Sequence, residues 1–152
     1  MRLNARNTYL NVAGVLVLLV APLSARGHHE LNGTWKLIPT RGDFAGQPVT
    51  ETGSVTINDR EHNITVSRNF TYDGANRTNS YQFTTDGREN SSIRNGKTFK
   101  SKAKWEGDVL VVTTTQDIET TVEHFSLDPA GTLRLVVDRP GQTAVTLFFQ
   151  HQ

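Results

Sequence analysis

Leu31-Asn32-Gly33-Thr34-Trp35-Lys36-Leu37, residues 31–37, open a chain that is rich in strand-like segments from this point to its end. A Gly-X-Trp motif at the start of an all-β domain indicates a small closed barrel, in which the strands wrap round and leave no exposed edge. The seven residues also follow directly on a segment with the features of a secretory signal. This stretch therefore predicts both the architecture of the domain and the point at which the domain begins.

The hydrophobic pattern after residue 30 has a period of two almost throughout, and no long segment carries the i, i+3, i+4 spacing of a helix. Turn signals such as Asp73-Gly74, Asp86-Gly87 and Asn95-Gly96 leave only short links, which favour neighbouring antiparallel strands. The predicted strands are Gly33–Ile38, Gly53–Asn58, Asn63–Ser67, Asn69–Asp73, Thr78–Thr85, Lys97–Glu106, Val109–Gln116, Thr120–Leu127, Leu133–Asp138 and Ala144–Gln150.

Such a meander can fold as a sandwich or close into a barrel, and closure removes the exposed edges of a long sheet. We therefore expect an all-β domain at residues 31–152, a single antiparallel up-and-down β-barrel of about 8–10 strands. Alternation also predicts which residues face inward, and these combine rings with small side chains: Tyr81, Phe83, Phe99, Ser101, Ala103 and Trp105. This mixture leaves two readings open, a ligand cavity or a filled core in which small residues make room for facing rings.

The first 25 residues contain the three parts of a translocation signal. Arg2 and Arg6 give a positively charged start, and Leu10–Val20 is the apolar run. Pro22–Ala25 ends in a small residue at the expected cleavage site. We expect cleavage after Ala25, with a cut after Gly27 as the alternative. The apolar run is about half of the roughly 20 residues that span a bilayer, which argues against an uncleaved anchor. The expected product is exported to the periplasm or outside the cell, has no membrane span and starts with a disordered tail, residues 26–30.

Charge and composition exclude several classes of function. Removal of two arginines with the signal leaves 14 Lys+Arg against 15 Asp+Glu, a net charge of −1, so no nucleic-acid partner is expected. The chain has no cysteine, which excludes a disulfide framework and thiol chemistry. It also has no phosphate-binding loop or nucleophile motif, and we expect no cofactor.

Two stretches of the sequence are Leu31–Leu37 and the later Ala103-Lys104-Trp105-Glu106-Gly107-Asp108-Val109-Leu110-Val111-Val112. Together they resemble two motifs of the calycin superfamily, which includes the lipocalins and the fatty-acid-binding proteins. The first is similar to the first-strand signature and the second to the Lys-Trp-acidic-Gly hairpin. The chain resembles most closely the small secreted lipocalin-like domains of bacteria, over roughly residues 31–150.

The resemblance implies structural roles at one end of the barrel. Trp35 would pack across the closed end, and Gly33 would let the backbone pass close by. Arg134 or Arg139 would stack on the indole, a cation–π contact of about 1 kcal/mol. The chain departs from the fatty-acid binders in its last strand, where Val145–Phe149 stands in place of their Arg-X-Tyr, so carboxylate capture by that device is not expected.

The leading functional hypothesis is a binding module for a small apolar or amphipathic molecule. Its predicted cavity-lining residues are Tyr81, Phe83, Phe99 and Trp105, with Arg68 or Tyr72. The first alternative is a filled barrel that acts in protein contacts, and the second is a calycin-type enzyme that acts on a bound organic substrate. No residue is assigned a catalytic role. Glu123 shares a face with Phe125 and could be a lone inward carboxylate, although glutamates lie mostly at the surface.

The predicted new N-terminus offers a hypothesis for metal binding. Cleavage after Ala25 would leave Arg26-Gly27-His28, whose free amine, two amides and imidazole form a square-planar set for Cu(II) or Ni(II). His28 is the only metal ligand predicted. A pair of histidines in a disordered tail can also arise by chance, and a cut after Gly27 would remove the set.

Overall fold

The computed structural model describes residues 29–94 and 96–152. The predicted signal, its cleavage site and His28 lie outside them. The described residues form ten strands and two short 3-10 helices, the first of which covers His29–Leu31 and so overlaps the last two residues of the predicted tail. None of the helices in this part of the chain is long or apolar enough to cross a membrane.

The ten strands form one antiparallel sheet in up-and-down order. Strands that are consecutive in sequence pair with each other, except β4 and β5, and β1 also pairs with β10, which curls the sheet into a barrel. The strands are β1 (Gly33–Leu37), β2 (Thr52–Arg60), β3 (Asn63–Tyr72), β4 (Ala75–Thr84), β5 (Asp86–Arg94), β6 (Lys97–Glu106), β7 (Val109–Gln116), β8 (Glu119–Leu127), β9 (Leu133–Asp138) and β10 (Val145–His151). The predicted all-β calycin-like barrel is thereby confirmed.

The barrel is nearly closed, with one gap. β4 and β5 are the two edges of the sheet, and no ladder of hydrogen bonds joins them in the described residues. A depression of about 560 Å³ lies between them, lined mainly by serine, asparagine and threonine side chains. The barrel is therefore less completely closed than predicted, because consecutive strands β4 and β5 do not pair.

The up-and-down order places the connections alternately at two ends of the barrel. The β2–β3, β6–β7 and β8–β9 turns lie at the end where β1 begins, which we call the Trp35 end. The β1–β2 loop, residues 38–51, crosses the opposite end, which we call the loop end. This loop contains the second 3-10 helix, Pro39–Arg41, and forms a bridge from Asp43 to Thr146 of β10.

Apolar side chains fill the half of the barrel nearest the Trp35 end. They come from the inward face of almost every strand and are almost fully buried: Trp35, Ile57, Ile64, Leu110, Phe125, Leu133, Leu135 and Phe149. Each contributes about 1.5–3 kcal/mol by leaving water, so this half supplies most of the apolar stabilisation. The loop half is less tightly filled, and its inward side chains include charged ones.

The predicted strands agree with the structure except in two places. Lys97–Glu106, Val109–Gln116 and Leu133–Asp138 have the predicted bounds, and the lysines of β6 are exposed opposite the inward Phe99 and Ala103. The two predicted strands Asn63–Ser67 and Asn69–Asp73 are a single strand, β3. β5 was not predicted, because its residues are polar and do not alternate.

The turn predicted at Asp86-Gly87 is instead an irregularity within β5. The register between β5 and β6 shifts between Asp86 and Glu89, and Gly87 has a positive φ of 77°. The two residues thus bend an edge strand rather than link a hairpin.

Candidate functional site

Two cavities lie inside the loop half of the barrel. The loop cavity, about 200 Å³, lies beneath the β1–β2 loop, which contributes Phe44, Gln47, Pro48 and Thr50. The side cavity, about 190 Å³, lies towards β4, β6, β7 and β8 and is lined by Phe83, Phe99, Thr114 and Thr121. Both cavities share four lining residues: Arg68, Tyr81, Glu123 and Arg139. These four side chains therefore divide the interior of the loop half.

A buried ion pair forms the centre of this dividing group. Arg68 of β3 donates from Nη1 to Oε1 of Glu123 at 2.6 Å and from Nη2 to Oε2 at 2.7 Å, a bidentate contact across the barrel from β8. Only 14% of the Arg68 side chain and 11% of the Glu123 side chain are exposed. A charge-assisted fork of this kind fixes the position of both side chains.

Both members of the pair depend on each other. Burial on its own would lower the pKa of Arg68, but the negative charge of Glu123 and its hydrogen bonds outweigh burial and raise the pKa above the ordinary value. Arg68 is thus positively charged at neutral pH. Removal of one partner would leave an uncompensated buried charge, which typically costs about 3–5 kcal/mol.

Aromatic rings cover the guanidinium group. Its central carbon lies 5.3 Å from the centroid of the Tyr81 ring and 5.6 Å from that of the Phe125 ring, within the range of cation–π attraction. Tyr81 also stacks on Phe83, with the ring centroids 6.1 Å apart. The cavities thus have aromatic walls next to a polar centre, the composition usual for small-molecule sites.

One donor of this polar centre has no partner. Nε of Arg68 is buried and makes no hydrogen bond with any described residue. Glu123 accepts one N–H from each Nη group, and Nε is a further buried donor of the guanidinium group. A buried N–H without an acceptor is costly, so an acceptor that reaches Nε would be stabilised there.

Two further arginines line the loop cavity. Arg77 of β4 is exposed, and Arg139, just after β9, is half-buried. Neither forms an ion pair with a described residue. Because exposed residues such as Arg77 and Asn79 line the loop cavity, this cavity reaches the surface, and its rim is positively charged.

The structure brings five of the predicted cavity residues together. Arg68, Tyr72 and Tyr81 line the loop cavity, and Arg68, Tyr81, Phe83 and Phe99 line the side cavity. Arg68 was predicted only as an alternative to Tyr72, yet it lies at the centre of the group. Glu123 is inward, as the alternation allowed, but it is not a lone carboxylate.

Trp105 does not join this group. The indole lies at the far end of β6, in a surface groove of about 520 Å³ at the Trp35 end. Glu30, Asp108 and Asp128 also line this groove. Alternation predicted the inward face of β6 correctly, but residues 99 and 105 are six positions apart and lie at opposite ends of the strand.

Trp35 is buried among the apolar side chains of the Trp35 end. The indole is 2% exposed, and its Nε1 donates a hydrogen bond to the backbone oxygen of Leu31 at 2.8 Å. The ring of His151 meets it edge-on, with centroids 4.8 Å apart. Gly33 makes room for that histidine, because a methyl group at Gly33 would collide with Nε2 of His151. A side chain, rather than the backbone, passes close to Gly33.

Neither predicted arginine stacks on the indole. Arg134 is exposed on the outer face of β9, between the inward Leu133 and Leu135. Arg139 lines the two cavities of the loop half instead. The aromatic contact of Trp35 is His151, the last residue of β10, which no sequence motif indicated.

The described residues contain no cluster of three or more His, Asp or Glu side chains that could hold a metal ion. Glu123 is held by Arg68, so it is not free to act as a general base in this arrangement.

No protein-family model matches the chain, and no curated protein is similar to it in sequence. Solved structures share its fold. The REP1-NXSQ fatty acid transporter is 14% identical, with 81% of this chain and 96% of that chain covered and a TM-score of 0.64. Secretory abundant heat soluble protein 4 from Ramazzottius varieornatus is 13% identical over 81% and 95% of the two chains, with a TM-score of 0.63. Fatty-acid-binding protein 1 of Echinococcus granulosus is 13% identical over 80% and 98%, with a TM-score of 0.60.

The chain therefore has the fold of the calycin barrels. At its loop end, the β1–β2 loop covers part of the loop cavity, and this loop contains one 3-10 helix.

Proposed function

We propose that the protein is a binding module that takes a small apolar or amphipathic molecule into the loop half of the barrel. The observation that carries this proposal is the pair of aromatic-walled cavities on either side of the buried Arg68–Glu123 pair. The proteins of similar fold include a fatty acid transporter and a fatty-acid-binding protein, which supports an apolar ligand class.

The size of the cavities limits the ligand. The loop cavity of about 200 Å³ is below the range of roughly 300–1,000 Å³ that is usual for drug-sized ligands. A medium-length chain or a small ring system fits this space better than a long chain. A longer ligand would have to cross from the loop cavity to the side cavity past Arg68 and Tyr81.

Blocking the loop cavity tests the proposal. Val137 points into this cavity, whereas its neighbour Val136 points outward, so Val137→Trp fills the cavity and Val136→Trp is the matched control. We expect the neutral fluorescent probe N-phenyl-1-naphthylamine to bind the wild type and Val136→Trp saturably and to bind Val137→Trp at least about tenfold more weakly. Equal binding to the two variants, or no saturable binding to the wild type, would contradict the proposal.

We also propose that the module acts after export, on the basis of the signal-like pattern of residues 1–25. The intact mass of the protein recovered outside the cytoplasm gives the cleavage site, and a cut after Gly27 would remove the metal-binding hypothesis for His28.

A further inference from the structure

We infer that the ligand group that reaches the centre of the barrel is an uncharged hydrogen-bond acceptor, such as an amide, a carbonyl or a hydroxyl, and not a carboxylate. The inference rests on the proposed function and names the ligand class of the same site. Its basis is that Glu123 already occupies the carboxylate-binding fork of Arg68.

The Arg68–Glu123 pair has no net charge to offer an anion. Arg68 contributes one positive charge, and Glu123 cancels it at 2.6 and 2.7 Å. A ligand carboxylate could take the fork only by displacing Glu123, which would leave a buried carboxylate without its partner. Beside the intact pair, the ligand carboxylate would face the like charge of Glu123. Both arrangements disfavour an anionic group at this position.

Arg68 does offer a buried donor to a neutral ligand. Nε of Arg68 is buried and unpartnered among the described residues, and the guanidinium group lies beside the rings of Tyr81 and Phe125. A carbonyl or hydroxyl oxygen can accept from Nε without disturbing Glu123. It would satisfy the buried donor, and the apolar part of the ligand would lie against the aromatic walls.

The rim of the loop cavity can still bind an anion. A test therefore has to distinguish binding of a charged group at the rim from binding beside the Arg68–Glu123 pair. Arg77 and Arg139 line the loop cavity and form no ion pair with a described residue. An amphiphile with a carboxylate could therefore bind with its charged end at the rim and its tail inside. A simple comparison of an acid with an amide would not show which position is occupied.

Substitution of Glu123 separates them. Decanoate and decanamide, which differ only in the head group, are measured by displacement of N-phenyl-1-naphthylamine and by calorimetry at a pH at which decanoate is ionised. In Glu123→Gln the fork of Arg68 is released from its carboxylate, so we expect decanoate affinity to rise at least about tenfold and decanamide affinity to change less than about threefold.

The matched control is Glu119→Gln, which removes the same charge from an exposed position at the start of β8. We expect it to leave the ratio of the two affinities unchanged. An equal rise in decanoate affinity in both variants would mean that long-range charge, and not the buried fork, sets the preference, and would overturn the inference.

Glu123→Gln leaves Arg68 buried without a charged partner and can fail to fold. The double variant Arg68→Leu/Glu123→Leu removes both charges and keeps the test available. In it we expect decanamide affinity to fall at least about fivefold, because the Nε donor is gone, with little change for decanoate. An unchanged ratio of the two affinities in either folded variant overturns the inference. Failure of both ligands and of the probe to bind the wild type would refute the proposed function itself.

Discussion

Packing at the Trp35 end depends on close contacts among Gly33, His151 and Trp35. Gly33 has a φ of +130°, which side chains rarely tolerate, and the space beside it is taken by the imidazole of His151. That imidazole in turn lies edge-on against the indole of Trp35. Gly33 and Trp35 of the motif therefore pack together with a third residue, His151 of β10, which is distant from them in sequence.

A double-mutant cycle can measure this arrangement. We expect Gly33→Ala to lower the free energy of unfolding by about 1–3 kcal/mol, through backbone strain and the collision with His151. His151→Ala in the Gly33→Ala background should recover the part that is due to the collision but not the strain. The measurement is urea denaturation of the four proteins of the cycle. Strictly additive costs would show that the glycine and the histidine are not coupled.

The site shows what the sequence can and cannot predict at the scale of residues. Alternation identified Tyr81, Phe83 and Phe99 as inward, and the structure brings them to one place. It could not pair Arg68 with Glu123, because the two residues are 55 positions apart and each is an ordinary polar residue within its own strand. A buried ion pair is a property of the assembled barrel, so neither partner indicates it alone.

At the scale of elements, the β8–β9 turn is held together by one carboxylate. Oδ1 of Asp128 accepts hydrogen bonds from the backbone N–H groups of Thr132 at 2.8 Å and Ala130 at 2.9 Å. Oδ2 accepts one from Arg41 at 3.2 Å, which ties the β1–β2 loop to this turn. The backbone bond from Thr132, followed by the contact with Arg41 and the bond from Ala130, holds the pKa of Asp128 below its usual range.

This depressed pKa predicts a pH dependence. The carboxylate is favoured in the folded state, so its stabilisation is complete at neutral pH and is lost as the pH falls below about 4. We expect Asp128→Ala to melt at a lower temperature than the wild type at neutral pH, and the difference to narrow in acid. Thermal melts followed by circular dichroism measure it.

Arg41→Gln serves as the control, because it removes the ion pair and leaves the backbone hydrogen bonds of the turn. Its melting temperature should fall less than that of Asp128→Ala. A difference between Asp128→Ala and the wild type that stays constant from neutral pH into acid would contradict the assignment.

Strand prediction succeeded where apolar residues recur along the strand and failed where polar residues dominate or interrupt it. β6 alternates, β7 and β9 are rich in valine and leucine, and the predicted bounds of all three agree with the structure. β5 is an edge strand of polar residues, and pairing with β6 alone makes it a strand. β3 was divided because Ser67-Arg68-Asn69 resembles a loop, whereas Arg68 is inward and its neighbours face outward. In both places the deciding interaction comes from another strand.

The whole molecule combines a packed half with a less packed half. Buried apolar residues from β1, β7, β8, β9 and β10 fill the Trp35 end, whereas charged and aromatic residues surround the cavities at the loop end. The sequence left a filled core and a cavity as alternatives, and the structure contains both, one at each end. Alternation predicts which residues face inward but not where each lies along the barrel axis, so it could not show that the filled core and the cavities occupy different ends.

Uneven packing predicts uneven protection of backbone amides. β9 lies between β8 and β10 and carries the buried Leu133 and Leu135, whereas β5 pairs only with β6 and is mostly exposed. We expect β9 amides to exchange only on global unfolding, and β5 amides to exchange orders of magnitude faster through local opening. Hydrogen exchange followed by mass spectrometry resolves the two strands. Equal protection of β5 and β9 would mean that the barrel opens as one unit.

The unpaired line between β4 and β5 makes the barrel wall expandable in one direction. Among the described strands, every other junction is zipped by main-chain hydrogen bonds, so widening the barrel there would require breaking a ladder. Along this seam the two strands can part while both flanking ladders stay intact. The side cavity, with Phe83 on β4 and Phe99 on β6, lies directly behind it. Spreading of this seam would therefore widen the interior at the cost of side-chain contacts, such as the hydrogen bond from Asn90 of β5 to Thr84 of β4, and of no main-chain ladder.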